Sequence, residues 1–239
     1  MKEEEKTLRE SGDIMTKREI WEFDCRGWFL RREALDLAEV ISLRKQGEEK
    51  ALPPPSGPCQ FLLGRDGPVM DVARTVVDWK PKLDVALMRS HVDHEEAQFA
   101  NFHGGEGRTG SSIWRHSTDA KNIPKVGVLS VLVELDDVLA PDYGTRLISG
   151  SHRSDVPIPM GMRHPEFHPE ADRYTCKAGS ILFWNEHIAH WGPPNTTGIP
   201  RRTMIFKFTQ RGTTIGNGVS AWDPKLAKNC NAETRGLLR

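Results

Sequence analysis

Apolar residues along this chain follow two rhythms, one before and one after about Asp84. In the first part they recur at helical spacing. Thr16 and Glu19 have the spacing of a capping box ahead of Ile20, Trp21 and Phe23, which predicts a helix, and Gly27 ends it before the short apolar strand WFL. Leu35, Ala38, Val40 and Ile41 share a face of a second helix. The run KQGEEKALPPPSGP that follows is expected to be a loop, because its prolines and glycines remove donors and bend the chain. Beyond it, CQFLL reads as a strand, VMDVARTVVDW as a helix and KLDVALMRSHV as a strand with partial alternation.

In the second part short strands and turns dominate. VGVLSVLVEL, an unbroken Val- and Leu-rich run, belongs in the middle of a sheet. A turn at APDYG, a strand at TRLIS, a Pro- and His-rich loop from Val156 to about Asp172, and strands at SILFW and RTMIFKFTQ complete it. The tail from Gly212 is expected to be irregular with one short helix. Helices first and strands after favour an α+β, mainly β chain with a β-sandwich or closed barrel as its core. Residues 1–15 read as a charged, disordered tail and 16–239 as one domain.

Charge narrows the partners. The 33 Lys and Arg match the 33 Asp and Glu, so no electrostatic footprint for a nucleic acid or an anionic membrane is present. No apolar stretch approaches the roughly 20 residues of a membrane helix, and the start MKEEEKTLRESGD is not a secretory signal. The chain is therefore expected to be soluble and cytoplasmic. Cys25, Cys59, Cys176 and Cys230 are scattered without a CxxC pair, as reduced thiols would be.

The candidate chemistry lies in the histidines, most of which fall between His91 and His190. Imidazole binds iron, zinc and copper well, so the segments that can bring two rings together matter most. NFHGGEG around His103 is one. The other is AGSILFWNEHIAHWGPPNTTGIPRRTMIFKF, in which His190 follows a strand and Arg201 opens the next. An antiparallel pair can aim a His and an Arg into one interior, where the imidazole holds an ion and the guanidinium clamps the far carboxylate of a bound dicarboxylate.

These motifs, with WFLRREAL, LDVALMRSHV, VGVLSVLVELDDV and the glycine-rich YGTRLISGSHRSD in the same order, resemble the phytanoyl-CoA dioxygenase-like family of iron(II) and 2-oxoglutarate-dependent oxygenases from about Thr16 to Thr209. The resemblance implies a double-stranded β-helix, the cupin-like jelly roll, with amino-terminal helices packed on it. It implies Fe(II), 2-oxoglutarate and O2 as metal and cosubstrates, and hydroxylation of an unactivated C–H bond of a small-molecule substrate. By position, His103 and His190 correspond to the metal ligands and Arg201 to the residue that grips 2-oxoglutarate. Arg202, on the opposite face of a strand, ranks second. Trp114 and His116 are candidate substrate contacts.

The chain departs from the family at one point. The family usually reads His-x-Asp, and here His103 is followed by Gly104 and Gly105. Related radical halogenases carry a small residue there and bind chloride in the vacancy, although some hydroxylases also have His-x-Gly. A halogenase or a non-catalytic cupin-like binding protein are thus the alternatives. Glu106 or Asp119 are candidates for a carboxylate supplied from elsewhere. The one strict His-x-Asp, His91 to Asp93, lies too early in the chain for the family's first ligand. His152 reads as a turn-ordering residue, and His164, His168 and His187 as loop or surface residues.

Overall fold

The computed structural model describes residues 15–49, 53–91, 101–104, 116–141, 144–196, 198–213, 215 and 222–238. Helix α1, Lys17–Arg26, begins with the full capping box: Thr16 Oγ1 accepts from Glu19 N at 3.1 Å and Glu19 Oε2 accepts from Thr16 N at 2.8 Å. Gly27, at φ 85°, ends it in the left-handed conformation. Strand β1, Trp28–Arg31, follows at once. Helix α2, Leu37–Glu49, is longer than the sequence suggests. Its last turn takes in Gly47 because tertiary contacts outweigh the weak helix propensity of glycine. Gln46 is buried and spans Cys59 N at 2.9 Å and Ser56 O at 2.7 Å, and a side chain at position 47 would press on Met88.

A second difference concerns Gly57–Leu63, which form a 3₁₀ helix rather than a strand. Pro58 near its start lacks the N–H that a helix start leaves unused, and Cys59, Leu62 and Leu63 point inward. A short apolar run records burial, not backbone type. Helix α3, Met70–Val76, lies within the predicted segment. The tail holds two short helices instead of one, α4 at Pro224–Lys228 and α5 at Ala232–Leu237, capped by Asp223 and Asn231.

The strands are β2 (Lys82–His91), β3 (Ser117–Thr118), β4 (Pro124–Lys125), β5 (Val128–Glu134), β6 (Arg146–Leu147), β7 (Ile181–Asn185), β8 (His190–Trp191) and β9 (Arg201–Thr209). Together with β1, four of them form an antiparallel sheet in the order β1-β7-β5-β9-β2, with the fully buried β5 in the centre. On one face Val131, Val133, Phe183, Met204, Phe206 and Phe208 pack against α1, α2 and α3 through Phe23, Leu43 and Val72. On the other face Trp28, Leu132, Leu182 and Trp184 meet Val138, Leu147, Tyr174 and Ile188. β6 and β8 pair with each other beyond this second cluster.

The period of two along β9 separates its roles. Met204, Phe206 and Phe208 belong to the helix-facing core, whereas Arg201, Thr203, Ile205 and Lys207 lie on the alternate face.

Candidate metal centre

His103 and His190 sit on neighbouring chain segments. Their backbones form an isolated antiparallel bridge, His103 N donating to His190 O at 3.0 Å and His190 N to His103 O at 2.8 Å. The two ring centroids are 4.0 Å apart. On its other side His190 pairs with Leu147 of β6. Phe102 anchors the first segment, buried against Ala189 and bonded through its N–H to Arg163 O at 2.9 Å.

The residues around this bridge explain several sequence motifs. Gly104 has φ 78°, and a Cβ there would lie 2.3 Å from Ile188 O and 3.3 Å from Glu186 O. Only glycine lets this backbone lie so close to the 186–188 turn. In the Gly-Ser-His-Arg run, Gly150 N bonds Arg26 O at 3.0 Å, Ser151 Oγ accepts from Ala189 N at 2.8 Å, and His152 is buried with its ring against Gly27. The run thus clamps the end of α1 to the residue preceding His190.

His190 is buried, and its Nδ1 lies 2.8 Å from Ile188 O. A carbonyl only accepts, so Nδ1 carries the proton and Nε2 of the neutral ring presents its lone pair. Burial pushes the pKa of His190 down, although the Glu186 carboxylate pulls the other way. His103 is pushed down to about 3, by burial first and then by His190. Both rings are therefore neutral near pH 7, the state that binds metal.

Glu186 was not among the residues that sequence reasoning singled out. It is nearly buried, its Oε1 lies 4.0 Å from His190 Nε2, and it accepts from Lys207 of β9 and Ser130 of β5. Burial disfavours its charge, but Lys207 and His190 outweigh that and hold its pKa down to about 2. A signal for it existed: a single Glu directly after the apolar ILFWN and a single Lys inside TMIFKFT are each costly in an interior unless they pair. Among the described residues, no group of three or more His, Cys, Asp or Glu side chains is arranged, as the side chains stand, to hold a metal ion.

Arg201 opens β9 opposite His91 of β2. Its charge acts on Glu134 and Tyr174, both buried, and Tyr174 Oη donates to Glu134 Oε1 at 2.5 Å. Arg202 faces the other way and is engaged bidentately by Asp136, at 2.9 and 2.8 Å, and by Glu48 at 2.8 Å. His116 makes its polar contacts elsewhere, with Nε2 2.8 Å from Asp24 Oδ1 and its ring 4.8 Å from that of His152. Asp119 caps its own turn by accepting from the N–H groups of Lys121 and Ile123 and pairs with Lys125. His168 bonds Met162 O at 2.7 Å, and His187 lies in a turn, as a loop residue would, but is buried there. The turn after β7 packs it inward, which its polar neighbours in sequence disguised. Trp114, Gly105, Glu106 and Asp93 lie outside the described residues.

Folds of this shape recur among proteins solved with nickel and 2-oxoglutarate or with iron bound. HygX from Streptomyces hygroscopicus, solved with nickel and 2-oxoglutarate bound, superposes with a TM-score of 0.75 at 17% identity, over 89% of this chain and 94% of that one. HygX with nickel, 2-oxoglutarate and hygromycin B bound gives 0.72 at 18% identity, over 84% and 89%. EctD from S. alaskensis with bound Fe gives 0.61 at 16%, over 82% and 77%. By sequence alone, no curated protein matches the chain.

The class is that of a 2-oxoglutarate-dependent non-haem iron oxygenase, which uses Fe(II), 2-oxoglutarate and O2. The profile of phytanoyl-CoA dioxygenase (PhyH) matches residues 79–203, just over half of the sequence, and the chain belongs to that family. No helix among the described residues is long and apolar enough to cross a membrane.

Proposed function

We propose that this protein hydroxylates an unactivated C–H bond of a small molecule at an iron centre held by His103 and His190, with Arg201 receiving the far carboxylate of 2-oxoglutarate. The carrying observation is the His103–His190 bridge, which brings two neutral imidazoles from segments 87 residues apart in sequence to a ring separation of 4.0 Å. The core that holds them reads as a double-stranded β-helix, with the five-stranded sheet as one layer and the β6–β8 pair with the His103 segment as the start of the other. The domain runs from Thr16 onward.

When bound, iron(II) with 2-oxoglutarate and O2 supplies the oxidising power: one oxygen atom enters the substrate as hydroxyl while 2-oxoglutarate becomes succinate and carbon dioxide. The donor set suits ferrous iron, which accepts imidazole nitrogen and carboxylate oxygen alike. Ile188 O fixes the tautomer of His190 and leaves its Nε2 free to face an ion. Arg201 stands on the interior face of β9, and a guanidinium there orients a dicarboxylate before reaction. Trp184, with its ring 5.6 Å from that of His190, and the apolar cluster around Ile188 keep water away from the donors. The segment carrying Trp114 and His116 leads into β3 and is a candidate to shape the substrate entrance.

The direct test is conversion of 2-oxoglutarate to succinate by the purified protein with ferrous ion, ascorbate and air across a panel of small molecules. The expected result is succinate formation that a matching substrate stimulates and that His190→Ala abolishes. Wild-type protein that binds iron yet never forms succinate would contradict the reading.

A further inference from the structure

Where the family usually carries its third metal ligand the sequence has Gly105, and among the described residues the Glu186 carboxylate lies close to His190 of the imidazole pair. We propose that Glu186 supplies the carboxylate of this iron centre, from the turn four residues before His190 rather than from the His-x-Asp position. The inference rests on the assignment of His103 and His190 to one ion.

Three observations carry it. Glu186 Oε1 is 4.0 Å from His190 Nε2. Nitrogen and oxygen donors sit about 2.0–2.2 Å from a first-row divalent ion, so two donors on one ion are separated by about 3 Å at right angles and about 4.2 Å when opposite. The observed spacing falls inside that interval. Next, the ring that Glu186 approaches is itself 4.0 Å, centroid to centroid, from the ring of His103, so the carboxylate borders the imidazole pair. Finally, Gly104 has no side chain, and the close approach it allows sets the backbone following His103 against the Glu186 and Ile188 carbonyls.

Ser130 and Lys207 then act as positioning residues. Ser130 donates to Oε2 and Lys207 to Oε1. A carboxylate oxygen has two lone pairs, so Oε1 can face a cation and still accept from Lys207. Charge favours the same arrangement: two neutral imidazoles leave the dication uncompensated in a buried site, and one carboxylate together with the keto-acid end of the cosubstrate neutralises it. With Glu186 in that role the centre has no need of an external anion, and chloride is not part of it.

Cobalt(II) titration of the full chain, followed by calorimetry and by the visible ligand-field absorption, tests this without turnover. Wild type, Glu186→Gln and His190→Ala are compared, each with and without chloride. Glu186→Gln is expected to bind cobalt at least tenfold more weakly, with a changed spectrum and an affinity that chloride partly restores. Wild-type affinity and spectrum in Glu186→Gln, alongside loss of binding in His190→Ala, would overturn the role of Glu186 and leave the two-histidine site standing. Unchanged binding in His190→Ala would overturn both. Should the single variant unfold, Glu186→Gln with Lys207→Met removes both buried charges together and is read in the same way.

Discussion

His103 and His190 exchange both backbone hydrogen bonds of a single antiparallel pair, at 3.0 and 2.8 Å. Such a pair fixes the Cα atoms about 5.5 Å apart and aims both side chains to the same side. The rings thus meet by backbone geometry alone, so their juxtaposition is a property of the fold. Anything that parts these two segments is expected to cost metal affinity and stability together.

Gly104→Ala provides that disturbance. The new methyl group would sit 2.3 Å from Ile188 O on a backbone at φ 78°, and left-handed strain plus the clash should destabilise the protein by about 2 kcal/mol or more. Thermal unfolding should show a lower midpoint, with iron binding weakened in parallel. An unchanged midpoint would mean that the 186–188 turn yields freely.

The two adjacent arginines should separate cleanly. Arg201→Ala should raise the dissociation constant of 2-oxoglutarate about 30-fold or more, the scale for truncating one side of a buried charge pair. Arg202→Ala should leave that constant unchanged and lower stability by about 1 kcal/mol, because its partners are Asp136 and the exposed Glu48 on the opposite face. Calorimetric titration of both variants with 2-oxoglutarate decides it, and equal losses would place the anion site elsewhere.

Glu134 is fully buried and its carboxyl feels the charge of Arg201, so it is expected to compete with an incoming carboxylate for the guanidinium. Burial pushes its pKa up, while Arg201 and Tyr174 oppose the rise. Glu134→Gln keeps the shape and removes the charge. Tighter 2-oxoglutarate binding, by roughly three- to tenfold at pH 8, is expected on the scale of one partly screened charge. Weaker binding would show instead that Glu134 holds Arg201 in position.

Acid should weaken the fold through His152. Its pKa is lowered to about 4, by burial and then by His116, against about 6.5 in an unfolded chain. Between these values the unfolded state binds more protons, so stability is full above about pH 6.5 and falls as pH drops toward 4, by about 3 kcal/mol in all. Urea unfolding of metal-free protein at several pH values measures it. His152→Asn should show a shallower loss over that window, and the same slope in both proteins would remove His152 from the account.

Much of this was legible in particular residues. Thr16 with Glu19 marked the start of α1, Gly27 its end, and the Val- and Leu-rich run marked the central strand. His103, His190 and Arg201 stood out because their order matched a family pattern, and the alternation along β9 separates Arg201 from Arg202. The Cys59–Leu63 run was misread because burial alone does not distinguish a strand from a 3₁₀ turn. Glu186 went unnoticed because a carboxylate four residues before a histidine has no special meaning until folding folds the turn back over the ring. Its partnership with Lys207, 21 residues later, exists only once β7 and β9 flank β5 in the sheet.

The central claim, that His103, His190 and Arg201 together seat iron and 2-oxoglutarate, is tested most directly by anaerobic addition of ferrous ion and 2-oxoglutarate while recording the weak visible charge-transfer band of the chelate. Wild type should develop the band, His103→Ala and His190→Ala should not, and Arg201→Ala should require far more 2-oxoglutarate to reach it. A band of full intensity in either histidine variant, or its absence from the folded wild-type protein, would contradict the account.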